Sequence, residues 1–163
     1  MYGSKNRGSQ MPARRLYTII VGLFLFLLLS SQYLPPAQAA AIREFYNTGD
    51  DNYWDIFSSH WEAQTFTVGA AAHTITSVKL KLYRVGSPGT IIVSIKDTNG
   101  QGHPTGADLT SGTTNGNTLP TGSPYEWREI TFTTEYVPSW NTKYAIVVRG
   151  GTPSNNVMWR GDS

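Results

Sequence analysis

The aromatic residues of this sequence are its first candidates for binding a ligand. The chain has five tryptophans and nine tyrosines, and the apolar face of a sugar ring stacks on such side chains while polar neighbours bind its hydroxyl groups. Trp127 and Trp159 lie in predicted strands, where tryptophan is mostly a core residue. The other candidates lie in loops or at strand edges, where core packing remains the alternative. We therefore expect a sugar-binding surface at Tyr53, Trp54, Trp61 and Trp140.

Hard oxygen ligands are concentrated in the turn-rich segment NTGDDNYWD. Carboxylates in a flexible loop are the ligands that Ca²⁺ prefers, so Asp50, Asp51 and Asp55 are candidate ligands of a structural calcium ion, with the segment DTNGQG around Asn99 as a second candidate. Neither segment has the full ligand series of a calcium loop, and Asx-turns explain such residues without a metal. No other cofactor is expected, because the three histidines are scattered and there is no cysteine.

Catalytic groups are not paired in this sequence. Glu126 and Glu129 flank Trp127, but residues three apart on a strand point to opposite faces, so they cannot straddle one glycosidic bond unless the strand bulges. No serine stands in a G-x-S-x-G context. These observations favour a protein without enzymatic activity, and a hydrolase that acts on glycans is the weaker alternative.

The first 39 residues have the three parts of a secretory signal peptide. Four basic residues precede the apolar run LYTIIVGLFLFLLLSS, and the sequence Ala37-Gln38-Ala39 places small residues where a signal peptidase cleaves. The run is shorter than the roughly 20 residues of a membrane span. We expect a signal-peptide helix, cleavage after Ala39, and a secreted, extracellular or cell-surface protein with no membrane segment in its mature form.

Loss of the signal peptide changes the charge of the protein. The whole chain has 13 Lys and Arg against 11 Asp and Glu, and removing the four basic residues of the signal peptide leaves 9 against 11, a net charge of −2. Because the positive excess belongs to the targeting segment, we expect no nucleic-acid partner.

Alternation of apolar and polar residues in the mature chain, residues 40–163, predicts β-strands and no helix. The segments SVKLKLYRV and TIIVSIKD both alternate, and GSPG between them supplies a proline and a glycine for a type II turn. We expect an antiparallel hairpin in which Leu82 pairs with Val93 and Leu80 pairs with Ile95.

Further strands are predicted along the rest of the chain, at residues 62–68, 109–114, 127–134, 142–148 and 156–160, with the second of these as a short edge strand. Many short strands, turns rich in Gly, Pro and Asn, and no helices are typical of an all-β fold. We expect one domain, an antiparallel β-sandwich of the jelly-roll kind.

The order of several motifs resembles a known family. The segments AQTFTV, LKLYRVGSPG, GHPTG with a following LTSG, WREITF, KYAIVV and MWRGDS are together similar to the choice-of-anchor R domains of secreted prokaryotic proteins. The resemblance implies a β-sandwich at the cell surface and brings no catalytic residues. In that family a Gly- and Ser-rich segment and closing strands follow the region of Trp159. We therefore expect a sandwich truncated at its C-terminus, with part of the apolar face around Leu80, Leu82, Val93, Ile95, Phe132 and Ile146 left uncovered.

These expectations favour a secreted or surface-displayed β-sandwich that binds or adheres without catalysing a reaction. Carbohydrate is the favoured ligand class, and a glycan or another cell-surface polymer is the expected partner. A purely structural exoprotein or spacer domain is the alternative.

Overall fold

Eight β-strands form the regular structure in the computed structural model, which describes residues 41–43, 51–70 and 73–161. That part of the chain has no α-helix, and in particular none with the length and apolarity that a membrane crossing requires. The predicted signal peptide and its helix lie outside the described residues. The strands are β1 (Asn52–Ile56), β2 (Glu62–Thr67), β3 (Ile75–Val85), β4 (Thr90–Thr98), β5 (Pro104–Asn115), β6 (Glu126–Tyr136), β7 (Lys143–Gly150) and β8 (Asn156–Gly161), with a short 3₁₀ turn, Gly116–Thr118, after β5.

The strands form two four-stranded antiparallel sheets. The first sheet has the order β1-β8-β3-β6, and the second sheet has the order β2-β7-β4-β5. These are the two strand orders of an eight-stranded jelly roll, in which the chain crosses repeatedly between facing sheets. The predicted all-β sandwich is therefore confirmed.

The predicted hairpin of β3 and β4 is wrong. Strand β3 pairs with β6 and β8, whereas β4 pairs with β5 and β7 in the other sheet, so the expected pairs Leu82–Val93 and Leu80–Ile95 do not form. Alternation shows which face of a strand is buried, and two buried faces can meet across the core of a sandwich as well as side by side in one sheet.

In the connection between β3 and β4, Gly89 has the positive φ that was predicted, although the connection joins two sheets. Gly86 has φ of +65° and Gly89 has φ of +72°, in the left-handed region that glycine adopts without strain. A Cβ atom on Gly86 would also lie 2.4 Å from Oδ1 of Asn155, in the turn before β8. The turn can therefore approach its neighbour only because it carries no side chain there.

The inward faces of the two sheets form the core. Its main cluster contains Ile56, Leu80, Leu82, Ile91, Val93, Leu119, Ile130, Val148, Val157 and Trp159, and a smaller one contains Val68, Ile95, Phe132 and Tyr144. The apolar face expected to be uncovered is instead buried: its residues Leu80, Leu82, Val93, Ile95 and Phe132 are at most 7% exposed, and Ile146 packs partly buried against both clusters. That expectation is wrong because β8, with Val157 and Trp159, lies between β1 and β3 and covers this side of the core.

One edge of the first sheet is joined to one edge of the second by side chains. The predicted edge strand at residues 109–114 lies within the longer β5, which is one of the two edge strands of the second sheet. Thr110 Oγ1 donates a hydrogen bond to the Thr134 carbonyl oxygen at 2.5 Å, and Thr133 Oγ1 donates to the Ser111 carbonyl oxygen at 2.9 Å. These bonds tie β5 to β6 without a strand ladder between them.

Candidate functional site

The outward face of the first sheet collects aromatic and basic side chains from all of its strands. Because successive side chains on a strand alternate between faces, the buried Leu80 and Leu82 of β3 leave Lys81 and Tyr83 facing outward. The same rule turns Trp127 of β6 and Arg160 of β8 outward. We call these residues and their neighbours the aromatic–cationic surface, which comprises Tyr53, Lys81, Tyr83, Tyr125, Trp127 and Arg160.

Strand register brings these residues together. Tyr53 of β1 is paired with Arg160 of β8, and Lys81 of β3 is paired with Trp127 of β6. The pair of Leu82 and Trp159 joins β3 to β8 one residue away from Lys81 and Arg160. The order Tyr53, Arg160, Lys81, Trp127 therefore runs straight across the four strands, over about 14 Å at the usual strand spacing.

Three tyrosine rings lie in succession on this surface. The ring centroids of Tyr53 and Tyr83 are 6.1 Å apart with their planes at 74°, and those of Tyr83 and Tyr125 are 5.0 Å apart at 37°. Both distances are typical of interacting aromatic pairs. Since the rings are inclined to one another, they form a stepped surface rather than a flat one.

Two cations lie against the rings. The guanidinium carbon of Arg160 is 4.6 Å from the ring centroid of Tyr125, and Lys81 Nζ is 5.9 Å from the centroid of Tyr125 and 6.0 Å from that of Trp127. These distances lie within the range of cation–π attraction. Both cations also take part in further interactions within the protein.

Glu126 and Glu129 of β6 each interact with neighbouring side chains. Glu129 faces outward, accepts a hydrogen bond from Ser77 Oγ at 2.8 Å and lies 3.6 Å from Lys79 Nζ. Glu126 accepts hydrogen bonds from Arg128 at 2.6 and 3.1 Å, and these bonds lower the pKa of Glu126 against the opposing effect of burial. Glu126 is paired with the inward-facing Leu82, and Glu129 with Lys79, so the two carboxylates belong to opposite faces of β6, as predicted.

Tyr53 and Trp54 were predicted together, but the structure places them on opposite faces of β1. Tyr53 is 51% exposed and joins the aromatic–cationic surface. Trp54 is paired with the buried Trp159, and its ring lies against Gly161, where a Cβ atom would be 2.8 Å from Cζ3 of Trp54. Adjacent strand residues cannot both contact one ligand on a single face.

The remaining predicted aromatic residues lie elsewhere. Trp61 Nε1 donates to the Ser58 carbonyl oxygen at 3.0 Å, and its ring is 5.4 Å from the guanidinium carbon of Arg149 on the second sheet. Trp140 is 69% exposed in the turn between β6 and β7, where Asn141 has φ of +53°. The four predicted residues therefore do not form one surface.

The predicted calcium ligands are only partly within the described residues. Asp50 lies outside them, Asp51 is exposed before β1, and Asp55 Oδ1 is 3.7 Å from Nδ1 of His60. The described ranges contain no group of three or more His, Asp or Glu side chains arranged to hold a metal ion. Because Asp50 is not among them, the calcium site stays a prediction.

The segment around Asn99, the second calcium candidate, contains the Asx-turn that was its alternative interpretation. Asn99 Oδ1 accepts hydrogen bonds from the backbone N–H groups of Gln101 at 3.0 Å and His103 at 2.9 Å. These contacts are an Asx-turn continued by one more bond. The Asx-turn expected as the alternative is therefore present in this segment, and a calcium ion there stays a prediction.

Sequence analysis missed most of the aromatic–cationic surface. Trp127, expected in the core, is 48% exposed, whereas Trp159 is buried as predicted. The signal was present in the alternation, because Ile130 and Phe132 define the buried face of β6 and Trp127 belongs to the other face. Tyr83 likewise follows the outward alternation of Lys81.

Comparison of the chain with protein-family models and with curated proteins found no match in either case. The similarity to choice-of-anchor R domains therefore stays a prediction from the motifs.

Proposed function

We propose that this protein is a secreted or surface-displayed β-sandwich that binds glycans through its aromatic–cationic surface and does not act as an enzyme. The observation that carries the proposal is the succession of Tyr53, Tyr83 and Tyr125, with Trp127 beside it, on the outward face of a sheet. Tyrosine and tryptophan on such a face contribute little to the core but offer ring faces and polar atoms to a sugar.

The inclination of the rings favours one kind of glycan. A crystalline polysaccharide presents a flat surface and is matched by coplanar rings. The planes of Tyr53 and Tyr83 differ by 74°, and those of Tyr83 and Tyr125 differ by 37°. A single, soluble glycan chain that can twist along the surface is therefore the proposed ligand.

The arrangement of carboxylates supports binding without catalysis. A glycosidase needs two carboxyl groups facing the same bond, one of them with a raised pKa to serve as the acid. Glu126 and Glu129 belong to opposite faces of β6, and the pKa of Glu126 is lowered by its hydrogen bonds with Arg128. This pair is therefore a poor candidate for such chemistry.

The alternative of a purely structural spacer requires its tryptophans to be buried. Trp61, Trp127 and Trp140 are between 48% and 69% exposed. Their exposure weighs against a spacer and in favour of a protein with a ligand.

Affinity electrophoresis of the full-length chain in gels that contain soluble polysaccharides tests the proposal, with CaCl₂ and with EDTA in parallel. We expect retardation by at least one glycan and a loss of about tenfold in affinity for Trp127→Ala. Fully burying a large apolar side chain contributes roughly 1.5–3 kcal/mol, and about 1.4 kcal/mol of this corresponds to a tenfold change in affinity. The matched control is Trp140→Ala, at a similarly exposed tryptophan outside the surface, which should bind normally. Absence of retardation by every glycan, or equal losses for the two variants, would contradict the proposal.

A further inference from the structure

The sequence contains two Asn-Gly pairs, and the structure gives them opposite environments. Asn99 and Gly100 lie in the turn between β4 and β5, whereas Asn115 ends β5 and Gly116 begins the 3₁₀ turn that follows. We propose that Asn99 is a site of spontaneous deamidation, with water as the co-reactant, and that the fold protects Asn115 from the same reaction. This inference goes beyond glycan binding, because both pairs belong to the second sheet and its turns.

Deamidation converts the side-chain amide of an asparagine into an acid through a cyclic intermediate. The backbone nitrogen of the next residue loses its proton and forms a bond to Cγ, and the bond from Cγ to Nδ2 breaks as ammonia leaves. Water then opens the succinimide ring at either carbonyl and gives aspartate or isoaspartate. A following glycine favours ring closure, because it has no Cβ atom beside the attacking nitrogen and its backbone rotates most freely.

The backbone N–H of Gly100 is accessible to this reaction. Asn99 and Gly100 are both exposed, and no acceptor within the part of the chain that the structure describes binds the Gly100 N–H. A Cβ atom on Gly100 would meet nothing within 4 Å, so the backbone has space to rotate toward the Asn99 side chain. Base from the solvent can therefore reach this N–H and remove its proton.

Two backbone donors bind the side-chain oxygen of Asn99. Its Oδ1 accepts hydrogen bonds from the N–H of Gln101 at 3.0 Å and from that of His103 at 2.9 Å. Attack on Cγ places negative charge on this oxygen. Donors that already point at the oxygen stabilise the charge, as they do in the oxyanion hole of an acyl-transfer enzyme.

The second pair lacks these features. The N–H of Gly116 donates to the Gly89 carbonyl oxygen at 2.7 Å, and Gly116 is buried. A Cβ atom on Gly116 would lie 2.8 Å from Cγ of Pro88, so the backbone has little space to rotate. Ring closure at Asn115 therefore requires this turn to open first.

The products would alter the turn that contains Asn99. The turn is closed by hydrogen bonds from the Gly102 N–H to the Asn99 carbonyl oxygen and from the Asn99 N–H to the His103 carbonyl oxygen, both at 2.9 Å. Aspartate adds a negative charge there, and isoaspartate also lengthens the main chain. We expect faster hydrogen exchange at these two amides in chains that contain isoaspartate.

Peptide mapping by mass spectrometry, after incubation of the full-length chain at mildly alkaline pH, tests the inference. Trypsin releases both sites on one peptide, residues 97–128, whose fragment ions report each site separately. We expect Asn99 to deamidate at least about tenfold faster than Asn115, since a hydrogen bond that must open first lowers the reactive fraction by roughly this factor. In a parallel incubation in urea, the two sites should react at similar rates because the fold is lost.

A variant tests the role of the attacking nitrogen. Gly100 does not have a positive φ and has open space around it, so Gly100→Ala should keep the fold. The added Cβ atom hinders ring closure, and deamidation of Asn99 should slow to a rate near that of Asn115. The control is Gly122→Ala, at another glycine with open space, and it should leave the rate at Asn99 unchanged.

Three results would overturn the inference. The first is an equal rate at the two sites of the folded protein, including no reaction at either, or a slower rate at Asn99. The second is a difference between the sites that persists in urea, because local sequence would then be its cause. The third is an unchanged rate at Asn99 in Gly100→Ala.

Discussion

Arg149 and Asp108 form a two-point ion pair on the second sheet. Arg149 Nη1 donates to Asp108 Oδ1 at 3.2 Å, and Nη2 donates to the second carboxylate oxygen, Oδ2. Lys96 Nζ donates to the same Oδ1 at 3.3 Å, and Arg149 also donates to the buried hydroxyl of Ser94 at 2.9 Å. One carboxylate therefore binds two cations and links β5 to β4 and β7.

The ion pair predicts a dependence of stability on pH. Hydrogen bonding from Arg149 holds the pKa of Asp108 below its ordinary value of 3.8, with burial acting in the opposite direction. Because the pKa is lower in the folded state, the contribution of Asp108 is fully present above the unfolded value and is lost as pH falls through the folded one. We expect Asp108→Asn to lower the free energy of unfolding at pH 7 by about 1–3 kcal/mol and to flatten its decline below about pH 4.

Urea unfolding at a series of pH values, from pH 7 to below about pH 4, measures the loss of stability at pH 7 and the flatter decline in acid. Glu135→Gln, which removes a carboxylate from an exposed position in β6, is the control and should have a stability close to that of the original protein at pH 7. If the free energy of unfolding falls equally steeply with decreasing pH in the original protein and in Asp108→Asn, groups other than Asp108 are responsible for the acid dependence.

Gly112 is predicted to be intolerant of any side chain. A Cβ atom there would lie 2.2 Å from the Thr131 carbonyl oxygen and 3.0 Å from Cγ2 of Ile130, where β5 meets β6. We expect Gly112→Ala to lower the free energy of unfolding by about 1–3 kcal/mol, since backbone must move to accommodate it. Gly122→Ala is the control, because a Cβ atom at Gly122 meets nothing within 4 Å. Thermal melts compare the two, and equal melting temperatures would argue against close contact of β5 and β6.

Arg84 is predicted to stabilise the loop that precedes β6. It has the inward alternation of Leu80 and Leu82, but its Nε donates to the Leu119 carbonyl oxygen at 2.8 Å and its Nη1 donates to the Gly86 carbonyl oxygen. We expect Arg84→Leu to be less stable by about 1–2 kcal/mol in spite of its apolar side chain, because a partly buried carbonyl group loses its donor. A variant more stable than the original in urea unfolding would mean that packing outweighs these bonds.

Tryptophan fluorescence tests the exposure of the aromatic residues. We expect iodide to quench Trp61, Trp127 and Trp140 and to spare Trp159, so that Trp159→Phe removes unquenched emission and Trp140→Phe removes quenched emission. A bound glycan should protect only the emission that Trp127→Phe removes. Protection that persists in Trp127→Phe would place the ligand away from the aromatic–cationic surface.

Alternation in the sequence was enough to predict seven of the eight strands, all except β1, and the buried face of most of them. Leu80, Leu82, Val93 and Ile95 are buried as their spacing indicates, and Gly89 has the positive φ that the predicted turn requires. These features depend on residues within one strand or one turn. Short-range geometry determines them, so that the class of fold, an antiparallel β-sandwich, could be predicted correctly.

Only the tertiary structure decided which strands are neighbours. Strands β3 and β4 belong to different sheets and face each other across the core instead of pairing. This arrangement depends on how all eight strands are divided between the two sheets, and no local sequence pattern distinguishes it from a hairpin. The same holds for the candidate site, of which sequence analysis predicted Tyr53 alone. Arg160 reaches Tyr53 through the pairing of β1 with β8, and Trp127 reaches Lys81 through that of β3 with β6. Register between strands distant in sequence depends on packing of the whole core, and therefore the surface exists only in the folded protein.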